Sequence, residues 1–191
     1  MVDGSSIRKR MARHDFDGRA RFLTFSCQKR LALFSNQRVC MLFVDAMLRS
    51  KREHGYRLFA WVVMPEHVHL LVQPPAQKPL EPALRSMKMI VSRRALAWWR
   101  ELGTPLLERL RTNEGEPRFW QAGGGFDRNV RNQAELSRAI RYIHRNPVER
   151  GLVSTAERWR WSSVRWWMGQ RGGEVSCDPV PGITDQWRGF V

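Results

Sequence analysis

Two short polar motifs carry the side chains of this sequence that are best suited to chemistry. The first is His67-Val68-His69, which lies in an apolar stretch that predicts a β-strand. Because side chains at positions i and i+2 of a strand point to the same face, the two imidazoles project side by side and can share one cation. A pair of surface histidines on an edge strand has the same spacing, and for this motif alone both interpretations stay open.

The second motif is Tyr142-Ile143-His144-Arg145-Asn146-Pro147, at the end of a segment with helical periodicity. On a helix, Tyr142 and Asn146 are i and i+4 and therefore neighbours on one face. If that face meets the sheet surface that bears the two histidines, a phenol and an amide oxygen converge on the same cation. A phenol near a divalent cation and arginines loses its proton more readily and becomes a nucleophile. Taken alone, Tyr142 is also typical of a core or capping residue.

Two further polar residues, His144 and Asp127, lie in or near these motifs. His144 lies about 160° around the helix from the face of Tyr142 and Asn146, so we expect it to contact substrate or solvent and not the metal. Asp127 either orients a histidine from behind or caps the following turn, and the capping role is favoured.

The predicted elements must bring the two motifs together. Apolar and β-prone patterns predict strands at 21–27, 56–64, 67–73 and 119–121, and helices at 36–54, 80–102 and 132–146. Pro147 is expected to end the last helix, 103–117 to form a polar loop, and Gly123-Gly124-Gly125 to act as a hinge. This βαββαβ order is typical of an α+β, ferredoxin-like antiparallel sheet with helices on one face, followed here by the motif-bearing C-terminal helix and a tail.

The chain divides into three parts on composition. We predict a basic flexible arm at 1–18, one folded domain at 19–168, and a loosely docked tail rich in Gly and Pro at 169–191. The segment Trp159–Trp167 alternates tryptophan with arginine. It is interpreted either as a platform for unpaired bases or as core residues that close the domain, and core residues are favoured.

Composition points to a polyanionic partner. The 191 residues carry 33 Lys+Arg against 18 Asp+Glu, which gives a net charge of +15, and arginine supplies most of it. Arginine suits phosphate and base recognition because its planar fork binds in a bidentate manner. No apolar run approaches the roughly 18 residues that span a bilayer, and no secretory signal follows the basic start, so we expect a cytoplasmic protein without a membrane partner. The three cysteines lack the spacing of a disulfide framework or metal site.

Basic residues on the second helix and after the glycine hinge are the candidates for DNA binding, although each is also interpretable as part of a solvated basic face. The candidates are Arg85, Lys88, Arg93, Arg94, Arg128, Arg131 and Arg145.

Four blocks of the sequence together resemble a known family, the REP-associated tyrosine transposases. The blocks are Trp61–Val72, Phe119–Gln121, Phe126–Arg128 and Tyr142–Val153. They occur in the family's order, and the resemblance extends from about residue 21 to residue 168. These proteins are single-tyrosine HUH enzymes related to the IS200/IS605 transposases.

The resemblance implies a chemistry for the candidate residues. His67, His69 and Asn146 would hold a divalent cation, Mg²⁺ or Mn²⁺, and Tyr142 would be the nucleophile. Attack of the phenol on phosphorus would leave a 5′-phosphotyrosine, from which the strand can be rejoined. The implied substrate is single-stranded DNA beside a hairpin or palindromic repeat. The protein would act at the nucleoid as a site-specific endonuclease and strand transferase, either as a monomer or as a homodimer.

Two other functions stay open from the sequence. The first is a non-catalytic binder of folded nucleic acid that uses the sheet as its platform. The second is a metal-dependent phosphodiesterase, which hydrolyses with water and does not need Tyr142.

Overall fold

A computed structural model describes residues 18–123, 125–170 and 175–183 of the chain. Apart from Gly18, the basic arm predicted for residues 1–18 lies outside the described residues. No helix in the described ranges is both long enough and apolar enough to cross a membrane.

Four antiparallel strands form one sheet, with helices between them. The strands are β1 (Arg21–Ser26), β2 (Arg57–Met64), β3 (His67–Gln73) and β4 (Phe126–Asn129), in the spatial order β2-β3-β1-β4. The helices are α1 (Gln37–His54), α2 (Glu81–Glu101), α3 (Leu106–Leu110), α4 (Gln133–Glu149) and α5 (Val164–Trp167). The predicted α+β architecture with an antiparallel sheet is confirmed.

The sheet is covered on both faces, and each face has its own core. Helices α1 and α2 pack on one face, where strand residues such as Leu23 and Leu70 meet helix residues such as Phe43 and Val91. Helix α4 packs on the opposite face. Its residues Leu136, Ala139, Ile140 and Ile143 contact Phe22, Val62 and Leu71 of the strands. Since side chains alternate along a strand, His67 and His69 share the α4 face with Leu71.

Local signals set the start and the end of α1. The side chain of Asn36 accepts a hydrogen bond from the backbone N–H of Arg38 at 2.9 Å and caps the helix. Gly55 ends it with φ of 69°, a left-handed conformation that glycine adopts without strain. The chain then enters the β2–β3 hairpin, whose turn at Pro65 and Glu66 leads directly into His67.

The edge strand differs from the prediction. The fourth strand is Phe126–Asn129, and not 119–121, where a single bridge joins Trp120 to Cys27. Phe119 and Trp120 are buried, and their rings pack against Phe34. The two aromatic side chains therefore fill the end of the α1/α2 core, and their backbone does not form a strand of the sheet.

Two other predicted boundaries are wrong. The predicted polar loop at 103–117 contains the short helix α3, whose Leu110 is fully buried. Helix α4 continues through Pro147 to Glu149. Pro147 cannot donate to the carbonyl of Ile143, but it lies in the last turn and is buried, so the helix ends only two residues later.

The C-terminal segments close the outer edge of β2. Ser162 forms an antiparallel bridge with Val62, and the backbone N–H of Asp178 donates to the carbonyl of Leu58 at 2.7 Å. The indole N–H groups of Trp159 and Trp167 also donate to β2 carbonyls, each at 2.9 Å. These contacts agree with the core interpretation for Trp159 and Trp167, which are partly buried against the α4 side of the sheet. The described part of the tail, 175–183, is firmly docked and not loosely attached, with Val175, Cys177 and Val180 buried.

Gly125 directly precedes β4 and lies against the backbone of β1, at a position that no other residue fits. Its φ is 73°, and a Cβ atom there would lie 2.2 Å from the carbonyl oxygen of Thr24. We expect Gly125→Ala to lower the free energy of unfolding by about 2–3 kcal/mol, from left-handed strain and overpacking together. The matched control is Gly123→Ala, where φ is 94° and nothing lies within 4 Å of the added atom, so only strain of about 1 kcal/mol remains. Urea unfolding measures both, and equal losses would contradict this account of the junction.

Candidate active site

A cleft of about 800 Å³ lies between α4 and the sheet surface that bears the two histidines. Strands β1, β3 and β4 supply its floor, and one stripe of α4 supplies its wall. The lining side chains are Phe22, Thr24, Arg30, His67, His69, Phe126, Arg128, Arg138, Ala139, Tyr142, Asn146, Glu149 and Arg150. The structure therefore brings together the two motifs that lie some 70 residues apart in the sequence, as the geometric argument required.

The two imidazoles face each other across the floor of the cleft. Their Nε2 atoms are 2.9 Å apart, and both side chains are almost fully buried. The Nδ1 atom of His67 lies 3.0 Å from Oε1 of Glu66, and that of His69 lies 2.7 Å from Oγ1 of Thr24. Since each outer nitrogen is held by an oxygen, both inner nitrogens are aimed at one point.

The tautomers follow from these partners. The Glu66 carboxylate accepts the Nδ1–H of His67, which leaves the Nε2 lone pair of His67 free for its neighbour. The Thr24 hydroxyl can donate to His69 or accept from it. His69 can therefore offer its inner nitrogen either as a donor to His67 or as a second lone pair for a cation.

Burial keeps both imidazoles neutral. Desolvation, with smaller contributions from the neighbouring His67 and Arg30, lowers the pKa of His69 to about 3. Desolvation also lowers the pKa of His67, against the opposing effect of Glu66. Neutral imidazoles with lone pairs at Nε2 are the form that coordinates a metal ion.

Glu66 connects the histidine pair to the end of α4. Its Oε1 atom accepts a hydrogen bond from Nη1 of Arg150 at 2.9 Å, and Nη2 of Arg30 lies 3.8 Å away. Burial disfavours the charged carboxylate, but the hydrogen bond from Arg150 and its positive charge favour it, and the pKa of Glu66 lies below its usual range. A single carboxylate thus positions His67 and fixes the C-terminal end of α4 over β3.

Tyr142 and Asn146 lie one turn apart on α4 and line the same cleft. The Tyr142 ring centroid is 5.2 Å from that of His69 and 5.8 Å from that of Phe22. Tyr142 is 45% exposed, so a substrate in the cleft can reach its hydroxyl. Asn146 is buried, and its Oδ1 atom accepts no hydrogen bond from any described residue. A buried carbonyl oxygen without a donor is expected to have a ligand.

The predicted basic residues divide between the two faces of the sheet. Arg128 lines the cleft, whereas α2 lies on the opposite face and carries Arg85, Lys88, Arg93 and Arg94 away from it. Lys88 is partly buried, with its Nζ atom 4.9 Å from the ring centroid of Phe25, and desolvation lowers its pKa. Arg131 and Arg145 are exposed outside the cleft, and Arg145 pairs with Glu149 at 3.5 Å.

Two predictions about neighbouring residues are wrong. Asp127 neither orients a histidine nor caps a turn. It points to the α1/α2 face, where the Nε atom of Arg21 donates to Oδ1 at 2.9 Å. His144 contacts neither solvent nor the cleft: it is buried, and its Nε2 atom lies 2.9 Å from Oγ of Ser163. The segment that covers β2 also covers this side of α4, which the helical wheel alone does not reveal.

Several cleft residues were not predicted from the sequence. Thr24 carries a readable signal, because the β1–β3 register places it directly opposite His69. Glu66 precedes the histidine pair and is recognisable as a neighbour of it. Arg30, Arg138 and Arg150 carry no such signal, since their positions depend on how α4 and the segment between β1 and α1 pack.

The cleft offers nitrogen and amide oxygen donors to a divalent cation. In the described ranges, no group of three or more His, Cys, Asp or Glu side chains could hold a metal ion. A third donor must therefore be of another type, and the unpartnered amide oxygen of Asn146 in the same cleft fits that role. Two neutral imidazoles and an amide oxygen form a borderline ligand set that accepts several divalent metals.

Known proteins share both the sequence pattern and the fold. Residues 22–146 match the family model described as "Transposase IS200 like", and this range contains both histidines, Tyr142 and Asn146. The chain is 28% identical over 119 residues to the REP-associated tyrosine transposase of Escherichia coli (strain K12), a match that covers 62% of this chain and 60% of that relative. The chain thus spans about three-fifths of the length of that relative.

A solved structure of a REP-associated tyrosine transposase bound to a REP hairpin superposes with a TM-score of 0.64 at 20% identity. It covers 89% of this chain and 97% of the other. At that identity, the likeness shows a common fold.

Proposed function

The chain belongs to the IS200-like transposase family, and on that premise we propose that it nicks and rejoins single-stranded DNA through Tyr142. One observation carries this proposal. The ring centroid of the half-exposed Tyr142 lies 5.2 Å from that of His69, one of two buried, neutral histidines. Arginines surround it in the same cleft. A nucleophile, a candidate cation site and phosphate-binding charge therefore occupy one space.

The proposed reaction is a transesterification. The Tyr142 oxygen attacks the phosphorus of the scissile phosphodiester, the bond to the 3′ oxygen breaks, and the phenolic proton is given up as the 3′ hydroxyl gains one. The 5′ end stays bound to Tyr142 as a phosphotyrosine. Attack by a 3′ hydroxyl reverses the step and rejoins a strand without input of energy.

The proposed cofactor is Mg²⁺ or Mn²⁺, which His67, His69 and Asn146 would hold. When bound, such an ion withdraws charge from the non-bridging phosphate oxygens. Thr24 and Glu66 fix the outer nitrogens of the two imidazoles, so the ligands are oriented before the substrate arrives.

Arginines of the cleft supply the remaining positive charge. Arg30, Arg128, Arg138 and Arg150 line it, and a flexible single strand can place consecutive phosphates along them. Guanidinium groups bind phosphate in a bidentate manner and orient the strand toward Tyr142. Binding through several such contacts is strongly weakened by added salt.

The proposed substrate carries a hairpin or palindromic repeat next to the single strand. The solved relative with the same fold is bound to a REP hairpin, which supports this choice of DNA structure. The net charge of +15 supports a nucleic-acid partner independently of that relative. Such a substrate places the protein in the cytoplasm, at the nucleoid.

Glu66→Gln tests how far metal binding by His67 and His69 depends on the Glu66 carboxylate that holds His67. We expect the variant to bind Mn²⁺ about ten- to a hundredfold more weakly, because a neutral amide holds His67 and Arg150 less firmly than a carboxylate. Mn²⁺ titration followed by calorimetry measures the affinity. Glu53→Gln is the matched control, since Glu53 is exposed on α1, where it pairs with Arg49 and lies outside the cleft. Equal affinities for Mn²⁺ in both variants would show that Glu66 does not position the ligands.

A further inference from the structure

The edge strand β4 presents an exposed aromatic ring to the cleft. Phe126 and Arg128 lie two residues apart, so both point to the α4 face and line the cleft. Phe126 is 49% exposed, and of the aromatic side chains in the described ranges only Tyr142 is comparably open. Every other phenylalanine described here is buried. The open ring is therefore exceptional within this chain.

Exposure of Phe126 is not explained by the packing of the fold. Full burial of a phenylalanine side chain stabilises a fold by about 1.5–3 kcal/mol, and the half-exposed Phe126 contributes only part of this free energy. Its ring contacts Phe22 edge-to-face, with centroids 6.0 Å apart and an interplanar angle of 70°. The Tyr142 ring contacts the same Phe22 at 5.8 Å and 71°. Phe126 and Tyr142, the proposed nucleophile, therefore both pack on the Phe22 ring, and about half of each side chain stays exposed.

A cationic group lies beside this ring. The Nε atom of Arg128 is buried and has no hydrogen-bond partner among the described residues. Glu135 of α4 interacts with the Arg128 charge, but it does not accept from Nε, and a buried N–H without an acceptor is expected to have a ligand that accepts a hydrogen bond. Arg138 lines the same cleft from α4. An apolar flat surface next to a guanidinium group with an unpaired N–H matches the two halves of a nucleotide, its base and its phosphate.

We propose that Phe126 and Arg128 form a nucleotide subsite, in which Phe126 stacks on the base adjacent to the scissile phosphate and Arg128 binds a flanking phosphate. This inference rests on the proposed function and extends it from the reacting phosphate to the neighbouring nucleotide. A stacked base fixes the sugar next to the phosphorus, and this holds the scissile bond within reach of Tyr142. Stacking accepts every base, so the subsite contributes affinity and position without reading the sequence.

The test uses a single strand with a hairpin in which 2-aminopurine replaces each nucleotide beside the hairpin in turn. The protein carries Tyr142→Phe so that the strand stays intact during titration. We expect the fluorescence to be quenched at one position, and Phe126→Leu to remove that quenching and weaken binding about tenfold, within the range for one stacked base. Leucine keeps the apolar contact with Phe22 but lacks a stacking face, and Phe126→Trp should restore both readouts.

A matched strand separates stacking from a structural effect. When the base at the quenched position is removed, the Phe126→Leu variant and its parent should bind equally well. Met89→Ala is the control for loss of an exposed apolar side chain, since Met89 is 49% exposed on α2 at the opposite face. Quenching that survives in Phe126→Leu, or the same tenfold loss on the abasic strand, would overturn the subsite.

Failure of the subsite and failure of the proposed function give different results. If unmodified protein forms a covalent adduct with the strand while Phe126→Leu binds normally, the subsite is wrong and the function stands. If unmodified protein forms no adduct, the proposed function fails whatever the fluorescence shows.

Discussion

Tyr142→Phe is expected to abolish cleavage and the covalent protein–DNA adduct, with a loss of roughly four or more orders of magnitude. The phenyl ring keeps its contacts with His69 and Phe22, while the only atom that can attack phosphorus is gone. DNA affinity should therefore stay within about twofold, because the arginines of the cleft are unchanged. Gel analysis of labelled single strands under denaturing conditions measures cleavage and adduct together, and a binding titration measures affinity.

The chain offers a matched control, since it contains only two tyrosines. Tyr56 is buried, and its hydroxyl donates to the carbonyl of Met47 at 2.9 Å. Tyr56→Phe removes the same atom and should lower the free energy of unfolding by about 1 kcal/mol without altering cleavage. Cleavage retained in Tyr142→Phe would support the phosphodiesterase alternative, in which water replaces the phenol.

His69→Ala is expected to lower cleavage at least about a thousandfold and to remove tight Mn²⁺ binding, while the protein stays folded. The substitution deletes one of two inner nitrogens and leaves His67 and Asn146 too few donors for a stable site. Chelation by EDTA should reproduce the loss in unmodified protein, and added Mg²⁺ or Mn²⁺ should reverse it. Calorimetric titration with Mn²⁺ and a cleavage assay measure the two effects.

His54→Ala is the control for this prediction, because His54 lies in the last turn of α1, outside the cleft. It should bind Mn²⁺ and cleave like unmodified protein. If His69→Ala retained cleavage that EDTA does not inhibit, the assignment of the histidine pair as metal ligands would be wrong.

The sequence predicted most of the fold because its signals are local. Asn36 and Gly55 bound α1, and Pro65-Glu66 marks the hairpin turn that precedes His67. The i, i+2 and i, i+4 spacings also predicted which motif side chains share a face. Their meeting in one cleft needed the further fact that α4 packs on the histidine face, which periodicity alone does not contain.

The wrong predictions share a cause, since each depended on long-range packing. Phe119 and Trp120 have β propensity, yet they fill a core, and the fourth strand forms where Gly125 allows close approach to β1. Pro147 is tolerated inside α4. His144 is buried because a segment from the far end of the chain covers it.

The distribution of charge was also beyond sequence reasoning. The arginine-rich face of α2 is visible in the sequence, but which side of the sheet it takes is decided by packing. The structure places Arg85, Arg93 and Arg94 on the side away from the cleft, and brings Arg30, Arg138 and Arg150 to it instead. Their recruitment depends on contacts such as that between Arg150 and Glu66.

The central claim is that Tyr142 becomes covalently linked to DNA. Its most direct test is to incubate the protein with Mg²⁺ or Mn²⁺ and a labelled single strand that carries an imperfect hairpin, and to digest the denatured adduct for mass spectrometry. The account predicts one modified peptide, with the 5′ phosphate of the cleaved strand attached to Tyr142, and none after EDTA treatment. Tight, salt-sensitive binding without any adduct, across several hairpins and both metals, would contradict it and support a non-catalytic binder of folded nucleic acid.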